Sequence, residues 1–271
     1  YGKFGLPALG AVAAGISNLT ASILMFAAFA VLFYRSLRYR RYLVGYKRGK
    51  YNFTDILSLN KMGWMVGLQM GLETALFSIT GIMIGWLGSI ALAAHQVMVA
   101  ISTLGFMIYY GVGAAVSVRV SNYFGRQELL HVRRTTMAGF HLILCLAVCA
   151  CTVFLFSREL IGYLFTTSEE VIRVVSTLVY ILLAYQFGDA LQITYANSLR
   201  GIGDVISMAV ISLIGYFLIA MPVCYICGFV LEWGITGIWI GYPIGLTLTG
   251  VMLCGRYYWK LKTKTQSKEF Y

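Results

Sequence analysis

Seven long apolar stretches alternate along the chain with short segments rich in Arg and Lys. A helix needs about 20 apolar residues, at about 1.5 Å each, to cross the hydrocarbon core of a membrane. The stretches that reach this length are 7–34, 62–86, 89–118, 135–157, 171–199, 204–230 and 234–257. The pattern therefore predicts an all-α polytopic membrane protein with seven transmembrane helices.

The composition supports a membrane protein and excludes several other classes. Of the 271 residues, 59% are hydrophobic and 11% are charged, whereas soluble domains carry about 25% charged residues. This excludes a soluble enzyme domain, a disordered chain and a disulfide scaffold. The six Cys residues all lie inside apolar stretches, where packing is their usual role, so we assign no cysteine chemistry.

The net charge of +11 is distributed in a way that predicts an orientation in the membrane. With 35–61 placed in the cytoplasm, all of the 21 basic residues except Lys3, Arg158 and Arg173 lie on the cytoplasmic side. Cytoplasmic loops carry such an excess of Arg and Lys. We therefore expect a cytoplasmic C-terminus and a basic linker at 35–61 that lies on anionic lipid. Because the basic residues form no single stripe, we expect no nucleic-acid partner.

Only two acidic residues lie deep in apolar stretches, Glu73 and Asp189. An ionised carboxylate at the bilayer centre costs about 2.5–3.5 kcal/mol, so such a residue indicates a functional site. Counted from Lys61 and Arg200, both acids lie about 17 Å from the cytoplasmic face. Two acids at equal depth on different helices can share one cavity.

Each of these acids has polar neighbours at helical spacing. They are Gln69 and Thr80 around Glu73, and Tyr185 and Gln192 around Asp189. A polar stripe on a membrane helix favours a cation site or a proton relay over a lipid-facing surface. The alternative is a protonated acid that is hydrogen-bonded to a neighbouring helix.

Four Gly-x3-Gly pairs predict places where helices pack closely. The pairs are Gly67/Gly71, Gly81/Gly85, Gly237/Gly241 and Gly241/Gly245. Such pairs are common in membrane helices and indicate no particular function.

Five segments resemble the multidrug and toxic compound extrusion (MATE) transporters, in particular the NorM-like branch. The segments are LETALF at 72–77, LAAHQV at 92–97, GAAVSVRV at 113–120, YQFGDA at 185–190 and SLRGIGD at 198–204. The resemblance implies an antiporter, not an enzyme, that exports cationic amphiphilic compounds and is driven by inward Na⁺ or H⁺. It also implies a multi-pass protein of the plasma membrane, which in a bacterium is the inner membrane.

The resemblance also assigns roles to the polar residues. Glu73, Asp189 and Tyr185 are expected to bind the coupling cation, for which we favour Na⁺ over H⁺. We place Gln69, Phe77, Thr80 and Gln192 in the substrate cavity. No cofactor is expected besides the coupling ion, and the expected partners are cationic small molecules and membrane lipid.

The family has twelve helices in two six-helix lobes, and its pattern predicts how this chain is divided. We expect the last helix of the N-terminal lobe at 1–34, the linker at 35–61, a six-helix C-terminal lobe at 62–258 and a cytoplasmic tail at 259–271. The other N-lobe helices would be a further partner from the same polypeptide. Seven helices alone are not expected to transport.

Two other functions fit a chain of this kind less well. A lipid-linked oligosaccharide flippase of the same superfamily would need a basic cavity for phosphates, but no Lys or Arg lies in the middle of a predicted span. A seven-span receptor fits less well because nothing in this sequence indicates an extracellular ligand domain.

Overall fold

The computed structural model describes residues 11–36, 44–45, 49 and 52–269. The start of the first predicted span and the end of the tail lie outside these residues. So does part of the predicted linker, namely 37–43, 46–48 and 50–51. The chain divides into two units, Tyr1–Leu57 and Ser58–Tyr271, and each is described by itself.

Seven helices in the described part of the chain are long and apolar enough to cross a membrane. They are α1 (Ala11–Arg35), α2 (Phe53–Gly85), α3 (Ser89–Gly125), α4 (Leu129–Phe156), α6 (Glu169–Gly201), α7 (Val205–Val230) and α8 (Gly234–Glu269); a short helix, α5 (Arg158–Phe165), follows α4. The predicted all-α fold class with seven spans is confirmed.

Several helices extend further than the apolar stretches that predicted them. Helix α2 begins at Phe53, within the predicted linker, and α3 continues to Gly125. Backbone hydrogen bonding can continue into polar sequence, so a helix need not end where the apolar stretch ends. Helix α5 was not predicted because its eight residues are too few for a span.

Helix α6 lies at the centre of the second unit, where it packs against α3, α4 and α8. Its core side chains include Val175, Leu178 and Leu182, which are fully buried. Asp189 lies on this same helix, and it is also fully buried. The acid is therefore held in the middle of the bundle, away from the lipid-facing surface.

Helix α7 contains two π-helical segments, Ile214–Ala220 and Ile226–Val230, on either side of the α-helical Met221–Tyr225. Pro222 lacks a backbone N–H and breaks the regular hydrogen-bond pattern, as expected for proline inside a span. Wider turns of this kind change the direction in which side chains point, and they are frequent at functional sites.

Close packing by glycine is confirmed for α8. A side chain at Gly237, Gly241 or Gly245 would overlap α7 at Cys227, Cys224 or Ala220, respectively. In contrast, a Cβ at Gly67 or Gly71 would meet nothing within 4 Å among the described residues. At Gly81 a Cβ would meet His95 of α3 only at an ordinary contact distance of 3.5 Å. The same sequence motif therefore marks a tight helix contact in α8 but not in α2.

An ion pair joins the α6–α7 turn to α8. The Arg256 Nε donates a hydrogen bond to Asp204 Oδ2 at 2.8 Å, and Ser207 Oγ donates to Asp204 Oδ1 at 2.8 Å. Burial acts to raise the pKa of Asp204, but the hydrogen bonds from Arg256 and Ser207 and the charge of Arg256 outweigh it and hold the pKa below its usual value. The carboxylate form is thus stabilised in the fold.

This ion pair predicts a pH-dependent contribution to stability. A lowered pKa in the folded state gives stability that is full above the unfolded pKa of about 3.9 and is lost as pH falls through the folded value. We expect Asp204→Asn to lower the free energy of unfolding by about 1.5 kcal/mol at pH 7. Thermal unfolding in detergent between pH 7 and pH 3 measures the difference, which should shrink toward low pH. A constant difference would contradict the assignment.

Candidate functional site

The two deep acids come together on neighbouring helices of the second unit. Glu73 on α2 is half-buried, and Asp189 on α6 is fully buried. The two carboxyl groups are close enough for their charges to interact. The structure therefore brings the two acids into one site, as the sequence led us to expect.

Polar side chains from three helices surround the Glu73 carboxyl group. The Gln69 Nε2 donates a hydrogen bond to Glu73 Oε2 at 3.2 Å. Gln192 and Tyr216 also lie close to this carboxyl group, and Gln192 Nε2 donates to the Tyr216 hydroxyl at 2.6 Å. Tyr216 lies in the first π-helical segment of α7, so the irregular turn contributes a side chain to the site.

The positively charged side chain of Arg200 reaches this network from the predicted cytoplasmic end of α6. Arg200 lies in the last turn of α6. Its guanidinium donates to Gln69 Oε1 at 3.4 Å, to Asn197 Oδ1 at 3.3 Å and to the Tyr110 hydroxyl at 3.3 Å. Its charge also acts on Glu73. From the sequence we place Arg200 at the cytoplasmic end of its span, and the structure adds that its long side chain extends from there to Gln69 beside Glu73.

A cavity of about 270 Å³ opens beside Glu73 between α2, α3 and α6. Glu73 and Phe77 line it from α2, Tyr185 lines it from α6, and Ser102 and Phe106 line it from α3. Most of the lining is therefore apolar or aromatic, with one carboxyl group in the wall.

The other predicted site residues lie outside the lining of this cavity. Gln69 and Gln192 are almost fully buried and belong to the network around Glu73. Thr80 is fully buried and shares a hydrogen bond with the Tyr242 hydroxyl on α8. The Tyr242 ring stacks on Phe77, with a centroid distance of 4.8 Å and an interplanar angle of 19°. Thr80 therefore helps to fix an aromatic wall.

Tyr216 and Tyr242 are members of the site that the sequence reading missed. Each stands in an apolar stretch without a charged neighbour, so nothing in the local sequence separates it from a core aromatic residue.

Asp189 differs from Glu73 in having no hydrogen-bond partner for either carboxylate oxygen among the described residues. Buried polar groups in proteins are nearly always paired, so this carboxylate is suited to hold a proton or a cation. No group of three or more His, Cys, Asp or Glu that could hold a metal ion occurs in the described ranges. The available ligands are oxygens, which suit a hard cation such as Na⁺.

A family model and the known sequences that resemble this chain point to the same family. A protein-family model described as MatE matches residues 66–226. The chain is 33% identical over 278 residues to "Multidrug resistance protein NorM" of Photobacterium profundum, which covers 100% of this chain and 59% of that relative. It is 31% identical over 271 residues to the protein of the same name from Aliivibrio fischeri, which covers 98% of this chain and 59% of that relative.

Comparison with solved structures gives the same fold. The crystal structure of the eukaryotic MATE transporter AtDTX14 matches with a TM-score of 0.79 at 22% identity, over 97% of this chain and 60% of that chain. The chain thus spans 59% of the length of these two curated relatives.

Proposed function

This chain belongs to the MatE family of transporters, and from that premise we propose that the full-length protein is a cation-coupled antiporter that exports cationic amphiphilic compounds. The observation that carries the proposal is the buried Asp189 carboxylate, which has no partner among the described residues and lies near a second acid. The relatives in this family are transporters and not enzymes. Glu73, Asp189 and Tyr185 are the proposed ligands of the coupling cation.

The charge of the two acids supports binding of a cation. If both were ionised and unpaired, the insertion penalties would add to about 5–7 kcal/mol, which approaches the stability of a whole domain. A bound cation or a proton removes much of this cost. We favour Na⁺, because two carboxylates and a tyrosine hydroxyl provide several oxygen ligands, and H⁺ is the alternative. In this scheme the ion is transported cargo and not a resident cofactor.

The cavity supports the proposed substrate class. A lipophilic cation would be attracted to Glu73 by charge and to Phe77, Phe106 and Tyr185 through cation–π contacts. Three further residues would act from behind the cavity wall. Glu73 would be held in position by Gln69 and Gln192, and Tyr242 by Thr80.

The membrane arrangement is also a proposal. The seven apolar helices support a multi-pass membrane protein, and the bacterial relatives favour the inner membrane. We keep the orientation with a cytoplasmic C-terminus, the division into 1–34, 35–61, 62–258 and 259–271, and the remaining N-lobe of the same polypeptide as partner. The flippase and receptor alternatives gain no support from the relatives, whose names describe multidrug resistance.

The substrate class can be tested with the full-length protein in a drug-sensitive host. We expect it to lower the steady-state accumulation of a cationic dye such as ethidium severalfold, because the proposed site is acidic and aromatic. Accumulation of an anionic dye of similar size should not change. The measurement is cell fluorescence with and without expression of the protein. Export of anionic or phosphate-bearing compounds alone would favour the flippase.

A further inference from the structure

Asp189 and two further side chains, Tyr109 and Gln186, carry buried polar atoms without a partner among the described residues. The atoms are the Tyr109 hydroxyl, both amide atoms of Gln186 and both carboxylate oxygens of Asp189, and the statement holds for the residues that the structure describes. Tyr109 is 1% exposed, and Gln186 and Asp189 are 0% exposed. Such atoms are rare in native proteins and call for an explanation, for example an ion or a water.

These side chains lie where α3 and α6 pack closely. A Cβ at Gly105 on α3 would lie 3.1 Å from Gln186 Oε1 on α6, so the amide group of Gln186 packs closely against the backbone of α3 at this glycine. Tyr109 is one helical turn after Gly105, and it belongs to one apolar cluster with Ala190 and Ile193 of α6. Asp189 precedes Ala190, and its charge acts on Tyr109. The geometry brings the three polar groups to one level of the bundle.

The surroundings of this group offer little that could pair with it. The other helix at this place is α4, which contributes Ile143 and Ala147 to the cluster around Tyr109. Cys149 and Cys151 of α4 also lie near the Tyr109 hydroxyl, and a thiol is only a weak hydrogen-bond partner. The group thus lacks a strong protein partner in the described part of the chain.

The group lies outside the lining of the proposed substrate cavity. Glu73 and Tyr185 line that cavity, whereas Tyr109 and Gln186 do not. A carboxylate, an amide carbonyl and a hydroxyl are all oxygen ligands that hard cations bind. An amide oxygen also differs from a carboxylate, because it coordinates a cation but is far too weak a base to hold a proton at neutral pH.

We infer that Gln186 and Tyr109 complete the coupling-cation site around Asp189, and that the Gln186 amide oxygen makes the site prefer Na⁺ to H⁺. This inference rests on the proposed function, since it adds ligands to the same site. Asp189 then shares the cation with two further sets of oxygens, one from Glu73 and Tyr185 and one from Gln186 and Tyr109.

The test is the Na⁺ concentration that gives half-maximal dye efflux by the full-length protein in proteoliposomes, with pH equal on both sides. Gln186→Leu removes the amide oxygen, and we expect the half-maximal concentration to rise about tenfold or more, the size of effect seen when groups that support a metal site are lost. Tyr109→Phe removes one hydroxyl and should raise it as well. Gln186→Glu keeps an oxygen at this position but introduces a carboxyl group that can hold a proton, so the half-maximal Na⁺ concentration should become more sensitive to pH.

A matched control separates ligand loss from general loss of a buried hydroxyl. Tyr257 is fully buried, and its hydroxyl forms a 2.8 Å hydrogen bond with Thr136 in a different cluster. Tyr257→Phe should leave the half-maximal Na⁺ concentration unchanged. Size-exclusion elution and thermal unfolding identify any variant that fails to fold. If Gln186→Leu does not fold, Tyr109→Phe, which is the smaller change, still tests the inference.

The outcomes distinguish this inference from the proposed function. The inference would be contradicted if Gln186→Leu and Tyr109→Phe both keep an unchanged Na⁺ dependence while Asp189→Asn loses it. The proposed function would still stand in that case, and water would be the partner of the buried polar atoms of Tyr109, Gln186 and Asp189. Retained Na⁺ dependence in Asp189→Asn would contradict the proposed function itself. Efflux by the unsubstituted protein that ignores Na⁺ and follows only a pH gradient would overturn the preference for Na⁺.

Discussion

Replacing Glu73 with Gln or Asp189 with Asn is expected to abolish the response of drug efflux to the ion gradient. Each substitution keeps the size of the side chain and removes the negative charge that would bind the cation. Asp189 has no hydrogen-bond partner among the described residues, so its neutral replacement breaks no observed contact. The gradient-dependent part of dye efflux should fall to the level of cells without the protein. Fluorescence of cells given a sudden Na⁺ or pH gradient measures this response.

A control for charge alone is Glu159→Gln. The Glu159 side chain is 80% exposed in the short helix α5, where it pairs weakly with Arg158 at 3.4 Å. This substitution also removes one negative charge, and we expect efflux to keep its gradient dependence. If both site variants retain an unchanged gradient dependence, the coupling site lies elsewhere in the full-length protein.

The second large effect is expected from Gly241→Leu, which should prevent α7 and α8 from packing. A Cβ at Gly241 would lie 3.0 Å from the Cys224 backbone nitrogen and 3.1 Å from its Cα. Backbone atoms cannot move aside as a flexible side chain can, so the cost should reach at least the upper end of the usual overpacking range, about 3 kcal/mol. We expect a fall of several degrees or more in the unfolding temperature and a low yield of folded protein.

Gly255→Leu is the matched control for this prediction. Gly255 lies on the same helix, and a Cβ there would meet nothing within 4 Å among the described residues. Thermal unfolding in detergent and fluorescence-detected size exclusion compare the two variants. Equal unfolding temperatures for Gly241→Leu and the unsubstituted protein would show that the α7–α8 contact is less tight than described.

The number of spans was predictable because hydropathy depends on the local sequence alone. A stretch such as 89–118 is long and apolar regardless of what packs against it. Helix ends were less predictable, as α2 shows by starting at Phe53 in a polar segment. The glycine pairs show why local sequence cannot indicate contacts, because Gly67 and Gly241 stand in the same motif and only Gly241 faces another helix closely.

The site was predictable only as far as charge and depth define it. Glu73 and Asp189 stand out because a carboxylate is costly in an apolar span. Tyr216 does not stand out, since it reaches Gln192 through a π-helical turn that the sequence does not reveal. Arg200 was assigned to the boundary by its backbone position, whereas its guanidinium extends to Gln69. Side-chain reach and helix irregularity decide such residues.

The most direct test of the account is dye efflux from proteoliposomes that contain the full-length protein and carry a Na⁺ gradient as the only driving force. The account predicts that an inward Na⁺ gradient drives cationic dye outward in the unsubstituted protein. It predicts no gradient-driven efflux in the folded Glu73→Gln and Asp189→Asn variants. Efflux in these variants that still follows the Na⁺ gradient to the same extent would contradict the claim that these two acids hold the coupling cation.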